Sequence, residues 1–302
     1  MQNLCRGSLA RYHRLIRVGL YAVQSSIRPS ISREESLERR RFLKSSLAAS
    51  ALALTPNDFR AQSAPTGKPR EYYELRQYHL QTGPQTKLTQ NYVSDALIPA
   101  LNRLGISPIG AFNLSIGPEM PMLYLLIPSK TIEPLVTAEL RLAQDETFLK
   151  AAEPFWNAPA NEPAYTRIES SLLLAFEGWP KLIVPPVTTQ HGKRVFQLRT
   201  YESPSNQAHI RKVEMFHNGE FGAFQRAGFW QVFYGDTLIG PRLPKLTYML
   251  SFPDLAEMNA KWNAFGSDPE WKKLSSSPRY NFESIVTNIS SLILSPTSYS
   301  QI

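Results

Sequence analysis

Apolar and polar positions alternate from residue 72 to 78, the period of a β-strand opening at about Glu71. Tyr73, Leu75 and Gln77 share one face of it, and Tyr72, Glu74, Arg76 and Tyr78 the other. Gly83-Pro84 ends the strand, and the period then lengthens. Val93, Leu97, Leu101 and Leu104 recur at helical spacing, with Gly105 placed as a C-terminal cap. Two apolar runs, 107–116 and 121–127, flank Gly117-Pro118-Glu119 and predict a hairpin. Helical spacing returns over about 131–152, with a break near Asp145, whose carboxylate suits the cap of the following turn. Residues 164–176, containing Leu172-Leu173-Leu174, read as the last strand, so the order is β-α-β-β-α-β.

The same order then repeats. A strand is predicted at about 193–202, a helix at 205–227, a hairpin around Gly240-Pro241 and Pro244, a helical restart at Asp268-Pro269, and a final strand at about 282–294. Tyr73-Glu74-Leu75-Arg76-Gln77-Tyr78 recurs as Phe196-Gln197-Leu198-Arg199-Thr200-Tyr201 at an offset of 123 residues. The same offset carries Arg103-Leu104-Gly105 onto Arg226-Ala227-Gly228 and Asp145-Glu146-Thr147-Phe148 onto Asp268-Pro269-Glu270-Trp271. Landmarks in one order at one spacing predict two related domains, 71–178 and 193–302. The stretch 179–192 between them is too proline-rich for a helix and reads as a semi-rigid linker. The predicted class is α+β, two tandem ferredoxin-like units, each a four-stranded antiparallel sheet with both helices on one face. Each sheet leaves its other face bare, so the two are expected to pack together within one chain.

Charge changes the picture only at the N-terminus. The chain is formally +8, yet residues 1–70 hold 13 Lys/Arg against 4 Asp/Glu, leaving 20 basic and 21 acidic residues in 71–302. A near-neutral repeat region lacks the electrostatic attraction that nucleic acid demands, and a nucleic-acid partner is not expected. Arg39-Arg40-Arg41-Phe42-Leu43-Lys44 before the small, apolar run 45–54 resembles a twin-arginine export signal, with Ala61-Gln62-Ser63-Ala64 as small residues for processing. The run is too short for a permanent membrane span. Export, to a periplasm or beyond, is therefore expected. Residues 1–33 carry basic and no acidic side chains, which leaves a mitochondrial presequence as the alternative. Cys5 is the only cysteine, so the repeat region forms no disulfide and must be held by its core.

With those motifs placed, the chain resembles the NIPSNAP family, in two copies over roughly residues 71–295. The second copy, with Asp268-Pro269-Glu270-Trp271-Lys272-Lys273, fits better, and the first lacks the Pro-Glu-Trp at Asp145-Glu146-Thr147-Phe148. The resemblance implies a dimeric α/β barrel, closed here by one chain, and a family without an agreed catalytic motif. Proteins sharing that fold include cofactor-free monooxygenases and haem-handling enzymes, but fold alone does not transfer function.

If the helix-free face of each first strand looks into the interface between the sheets, Arg76, Tyr78, Arg199 and Tyr201 line a pocket there. Two guanidiniums between aromatic walls would hold a small acidic or aromatic ligand. The structural alternative is ion pairing, of Arg76 with Glu169 and of Arg199 with Glu283. His79 at a strand end and His217 in a helix are candidate haem or metal ligands, but they lie on different elements of different units, with no cluster around either. Glu214 and Glu220 flank His217 six residues apart, off a common helical face. Trp262, Phe265 and Trp271 read as packing residues. No nucleophilic triad, glycine-rich phosphate loop or zinc signature is present, so no catalytic residue, cofactor or metal is assigned. The expectation is a non-enzymatic double barrel that binds a small ligand or a partner, with homo-oligomers compatible. The alternative is a barrel-type oxidoreductase, cofactor-free or haem-using.

Overall fold

A computed structural model describes residues 69–189 and 192–302. The leader motifs and Cys5 lie outside the described residues. Thr66–Ile302 make one compact unit.

Eight strands carry the fold: β1 Tyr72–His79, β2 Gly110–Ile116, β3 Met122–Ser129, β4 Arg167–Ala175, β5 Val195–Glu202, β6 Trp230–Ile239, β7 Lys245–Phe252 and β8 Asn288–Pro296. They close into a barrel in the order β1-β3-β2-β8-β5-β7-β6-β4, with antiparallel pairing throughout. The fold is therefore mixed α/β around an eight-stranded antiparallel barrel. The closure comes from two seams, β2 with β8 and β4 with β6, each interrupted by a register shift. Edge-to-edge pairing leaves neither half with an open strand, which removes the liability of an unpaired edge.

Helices cover the outside. In the first half these are α1 Pro84–Asn91, α2 Ile98–Arg103, α3 Glu133–Leu142 and α4 Glu146–Trp156. In the second half they are α6 Asn206–Met215, α7 Phe221–Arg226, α8 Leu255–Ser267 and α9 Pro269–Ser275. A π-helical stretch joins α1 to α2 at Tyr92–Leu97, and another joins α6 to α7 at Phe216–Glu220. The landmarks read from the sequence have a common physical basis. Gly105 and Gly228 end α2 and α7 in the left-handed region, at φ +78° and +76°. Asp145 and Asp268 cap α4 and α9, accepting from the amides of Phe148 (3.0 Å) and Trp271 (2.8 Å). The same two carboxylates accept from Arg103 and Arg226, so each pair ties the end of one helix to the start of another.

Two local readings are corrected. Pro186–Thr189 in the proline-rich connection is a short helix, α5, with Pro186 at the first position that tolerates it. The start of the expected last strand is instead helical, α10 Phe282–Ile285, because the Asn281 side chain accepts from the Glu283 amide at 3.1 Å and caps that turn.

The core has three parts. The lumen packs Tyr73, Leu75, Phe112, Leu126, Phe196, Leu198, Phe233, Met249 and Leu294. Rings from the two halves meet there, Tyr73 with Phe233 at 5.1 Å and Phe112 with Phe196 at 4.8 Å. Two further clusters lie outside, between each half of the sheet and its own helices. At the end where β1 begins, the lumen is closed by Leu182 and by the fully buried Ile302.

Candidate functional site

Alternation along β1 sorts the side chains as expected, but the lumen takes the opposite face. Tyr73 and Leu75 point inward, whereas Tyr78 belongs to the helix-covered cluster of the first half and Tyr201 to that of the second. Arg76, Tyr78, Arg199 and Tyr201 therefore do not converge on one pocket between the halves. Each arginine instead contacts the tyrosine two residues on. Arg76 Nη1 donates to Tyr78 Oη at 3.4 Å, and Arg199 Nε and Nη2 donate to Tyr201 Oη at 3.3 and 3.1 Å.

Their charge partners also differ from those expected. Arg76 holds Glu74 through Nε (2.7 Å) and Nη2 (3.2 Å) and reaches Glu139 on α3 at 3.0 Å. Glu169 cannot serve it, because that residue faces the lumen side, where it accepts from Arg167 at 2.8 Å. Gln197 stands where the first half has Glu74, so Arg199 gains no carboxylate on its own strand. Its guanidinium lies 4.7 Å from the Trp262 ring centre, and Glu283 sits in the first turn of α10, accepting no hydrogen bond from it among the described residues. Around Arg76 the helix layer leaves a groove of about 390 Å³, lined by Glu74, Leu135, Val136, Glu139 and Ile168 among others. Two carboxylates already answer its one guanidinium.

The histidines are spoken for. His217 uses both nitrogens, Nδ1 with the Val213 carbonyl oxygen (2.8 Å) and Nε2 accepting from the Gly178 amide (3.0 Å). That assigns a neutral ring with the proton on Nδ1. His79 is buried, with Nδ1 3.1 Å from Glu119 and 2.8 Å from Arg167. No grouping of three or more His, Cys, Asp or Glu arranged to hold a metal ion occurs among the described residues.

His79 does line the open end of the lumen, and the other residues there are ones that the sequence did not single out as a site. Inward positions run from apolar to polar toward the end where β1 finishes: Leu75 to Gln77 to His79 on β1, Leu198 to Thr200 on β5, Met249 to Thr247 to Lys245 on β7, and Leu292 to Ser290 on β8. On β4 the row is Leu173, Ser171, Glu169, Arg167. The result is a polar cleft of about 390 Å³, walled by strands of both halves and by the hairpin turns at Pro118-Glu119 and Pro241-Arg242.

Lys245 is the group in that cleft whose charge is least answered. Its side chain is buried, with the residue 6% exposed. The nearby carboxylates are engaged elsewhere, Glu202 with Arg242 at 3.0 Å and Glu169 with Arg167 at 2.8 Å. Burial first, and then the Arg242 guanidinium, hold the Lys245 ammonium below its usual pKa of 10.5, with Glu202 and Glu169 opposing. The Ser171 hydroxyl is buried without a partner, while Thr200 and Thr247 share a hydrogen bond at 3.0 Å. Tyr124 stays a phenol, its pKa pushed up to about 12 by burial and by Glu169 and Glu119. The signal was present in the sequence as rows of period two, but it becomes visible only when the inward face is known.

Comparison with known proteins finds a family domain in the second half of the chain. The NIPSNAP family model matches residues 196–301, the half in which Asp268-Pro269-Glu270-Trp271 is intact. Curated proteins include no match. Among solved structures, the chain is similar to a NIPSNAP-like domain protein from Burkholderia xenovorans, at 21% identity and TM-score 0.33, over 36% of this chain and 90% of that one. A NIPSNAP family protein with unknown function from Agrobacterium tumefaciens matches at 18% identity and TM-score 0.31, over 35% and 91%. An anthrone oxidase-like protein matches over 76% of this chain and 92% of its own, at 13% identity and TM-score 0.45. Scores this low carry no argument about the chain, and what the family comparison shows is a NIPSNAP domain at residues 196–301.

Proposed function

We propose that this protein binds a small organic anion, a short carboxylate, in the polar mouth of its barrel, without acting on it. The observation that carries this reading is Lys245, a largely buried residue whose side chain lines the cleft with no hydrogen bond or ion pair among the described residues, its neighbouring carboxylates drawn to arginines. A partly desolvated charge without a partner is costly, and an anion in the cleft relieves that cost. The Ser171 hydroxyl and the exposed Arg242 guanidinium offer further donors on the same walls.

On this reading the two halves are ferredoxin-like units in tandem, near 71–178 and 193–302, joined through 179–192. The strand orders β4-β1-β3-β2 and β8-β5-β7-β6 are the same order twice, which supports that division. Export follows from the twin-arginine-like leader, and N-terminal sequencing of the mature protein tests it.

Titration calorimetry with glycolate as the probe tests the binding site. Lys245→Met is expected to weaken affinity at least tenfold, about 1.4 kcal/mol. Glu139→Gln, in the outer groove, is expected to leave it unchanged. Because the anion needs the charged ammonium, affinity falls as pH rises through the Lys245 pKa, which lies below 10.5. Wild-type protein that takes up no glycolate, or equal losses in the two variants, sinks the reading.

A further inference from the structure

We propose that Lys245 is a carbonyl-reactive amine, and that the anions this cleft takes include short oxo acids, which it holds as a reversible imine. This rests on the carboxylate-binding reading and sharpens its ligand class.

The geometry supplies what imine chemistry needs. A lysine amine is nucleophilic only when neutral, and desolvation beside another cation is the usual way to make it so. Lys245 opens β7, three residues after Arg242, and its side chain points into the cleft rather than to bulk water. The charged and titratable groups that face it come from every wall: Glu202 on β5, Arg167 and Glu169 on β4, His79 on β1, Tyr124 on β3, Glu119 and Arg242 in the two turns. Five of these already pair among themselves, Arg242 with Glu202 and Arg167 with Glu169 and Glu119. Lys245 is left without a carboxylate of its own among the described residues.

An oxo acid fits both features of the cleft. Its carboxylate lies against the Arg242 or Arg167 guanidinium, and its carbonyl carbon meets the Lys245 nitrogen. The nitrogen lone pair forms the new carbon–nitrogen bond, and the carbonyl π electrons pass to oxygen, which is protonated. The carbinolamine then loses that oxygen as water, with both amine hydrogens accounted for in the water and the solvent proton pool. No electron is gained or lost, so the step needs no oxidant, reductant or metal.

The test uses the mature chain, glyoxylate and cyanoborohydride. Reduction of the imine fixes one carboxymethyl group on the reacting lysine, and peptide mass spectrometry locates it. Lys245 is expected to be labelled about tenfold faster than the exposed Lys87 and Lys150, a difference of about 1.4 kcal/mol in barrier. Excess glycolate, which has no aldehyde or ketone carbonyl, is expected to slow that labelling by competition, and Lys245→Arg to abolish it. Lys245 labelled no faster than Lys87 overturns the proposal, on wild-type protein and without any variant having to fold. Glycolate uptake in the calorimeter separates the two ideas. Uptake without Lys245 labelling overturns the imine alone, whereas no uptake of glycolate or glyoxylate and no selective label overturns the carboxylate site as well.

Discussion

At the residue scale, the most consequential buried contact is Lys212 with Glu220. The Nζ to Oε2 distance is 2.6 Å, and the side chains are 0% and 2% exposed. The ammonium also lies 4.5 Å from the Phe216 ring centre and 5.1 Å from that of Tyr201. Burial raises the Glu220 pKa, while Lys212 and, further off, Arg199 pull it back. Neither charge can stay buried alone. Lys212→Met or Glu220→Gln is therefore expected to cost about 3–5 kcal/mol of unfolding free energy, whereas replacing both by apolar residues is expected to be nearly neutral. Denaturant unfolding of the three variants measures this, and additive losses in the double variant would contradict it. Thr89 and Leu97 occupy the same places in the first half by the 123-residue offset, so the ion pair belongs to the second half alone.

At the scale of elements, the repeated device is the arginine that ends one helix and clamps the aspartate capping another. Arg226 holds Asp268 through Nε (2.7 Å) and Nη2 (2.8 Å). That contact, with the Trp271 amide, takes the Asp268 pKa from its usual 3.8 to about 2. A carboxylate whose pKa is depressed on folding stabilises above its unfolded value and loses that contribution as pH falls through its folded value. Stability is thus expected to fall between about pH 4 and pH 2, and Asp268→Asn to remove part of that dependence while lowering stability at neutral pH. Thermal melts across that range decide the matter; parallel curves for the two proteins would show that the clamp is not the titrating contact. The asymmetry between halves also lies at this scale. Trp262 on α8 covers Arg199 and donates through Nε1 to Gln197 at 2.7 Å, closing the layer that stays open as a groove around Arg76.

For the whole molecule, closure of the barrel sets one filled end and one wet end. The chain after β8 folds back to the start of β2, where the Gln301 amide donates to the Ile109 carbonyl at 2.9 Å and Ile302 fills the lumen beside Phe112. Ile302→Ala is expected to cost about 2–5 kcal/mol, the range for emptying a buried aliphatic site. Chemical denaturation measures it, and a loss below about 1 kcal/mol would mean the lumen collapses onto the gap. Among the described residues no helix is long and apolar enough to cross a membrane.

The sequence by itself determined the order of elements, the caps and the pairing of faces along each strand, because these depend on residues within one turn or one strand of each other. Asp145 and Asp268 cap helices wherever those helices lie, and Tyr73 and Leu75 share a face in any strand. Which face became the lumen was decided only by tertiary structure. Both faces of β1 mix aromatic and charged or polar side chains, so burial alone did not distinguish them. The outward Arg76 is accommodated because Glu74, two residues away on the same face, accompanies it under α3 and Glu139 completes the pair. The polar mouth was equally hidden. His79, Ser171 and the neighbouring Arg242 and Lys245 come from three distant parts of the chain and carry no motif, and barrel closure brings them to one rim.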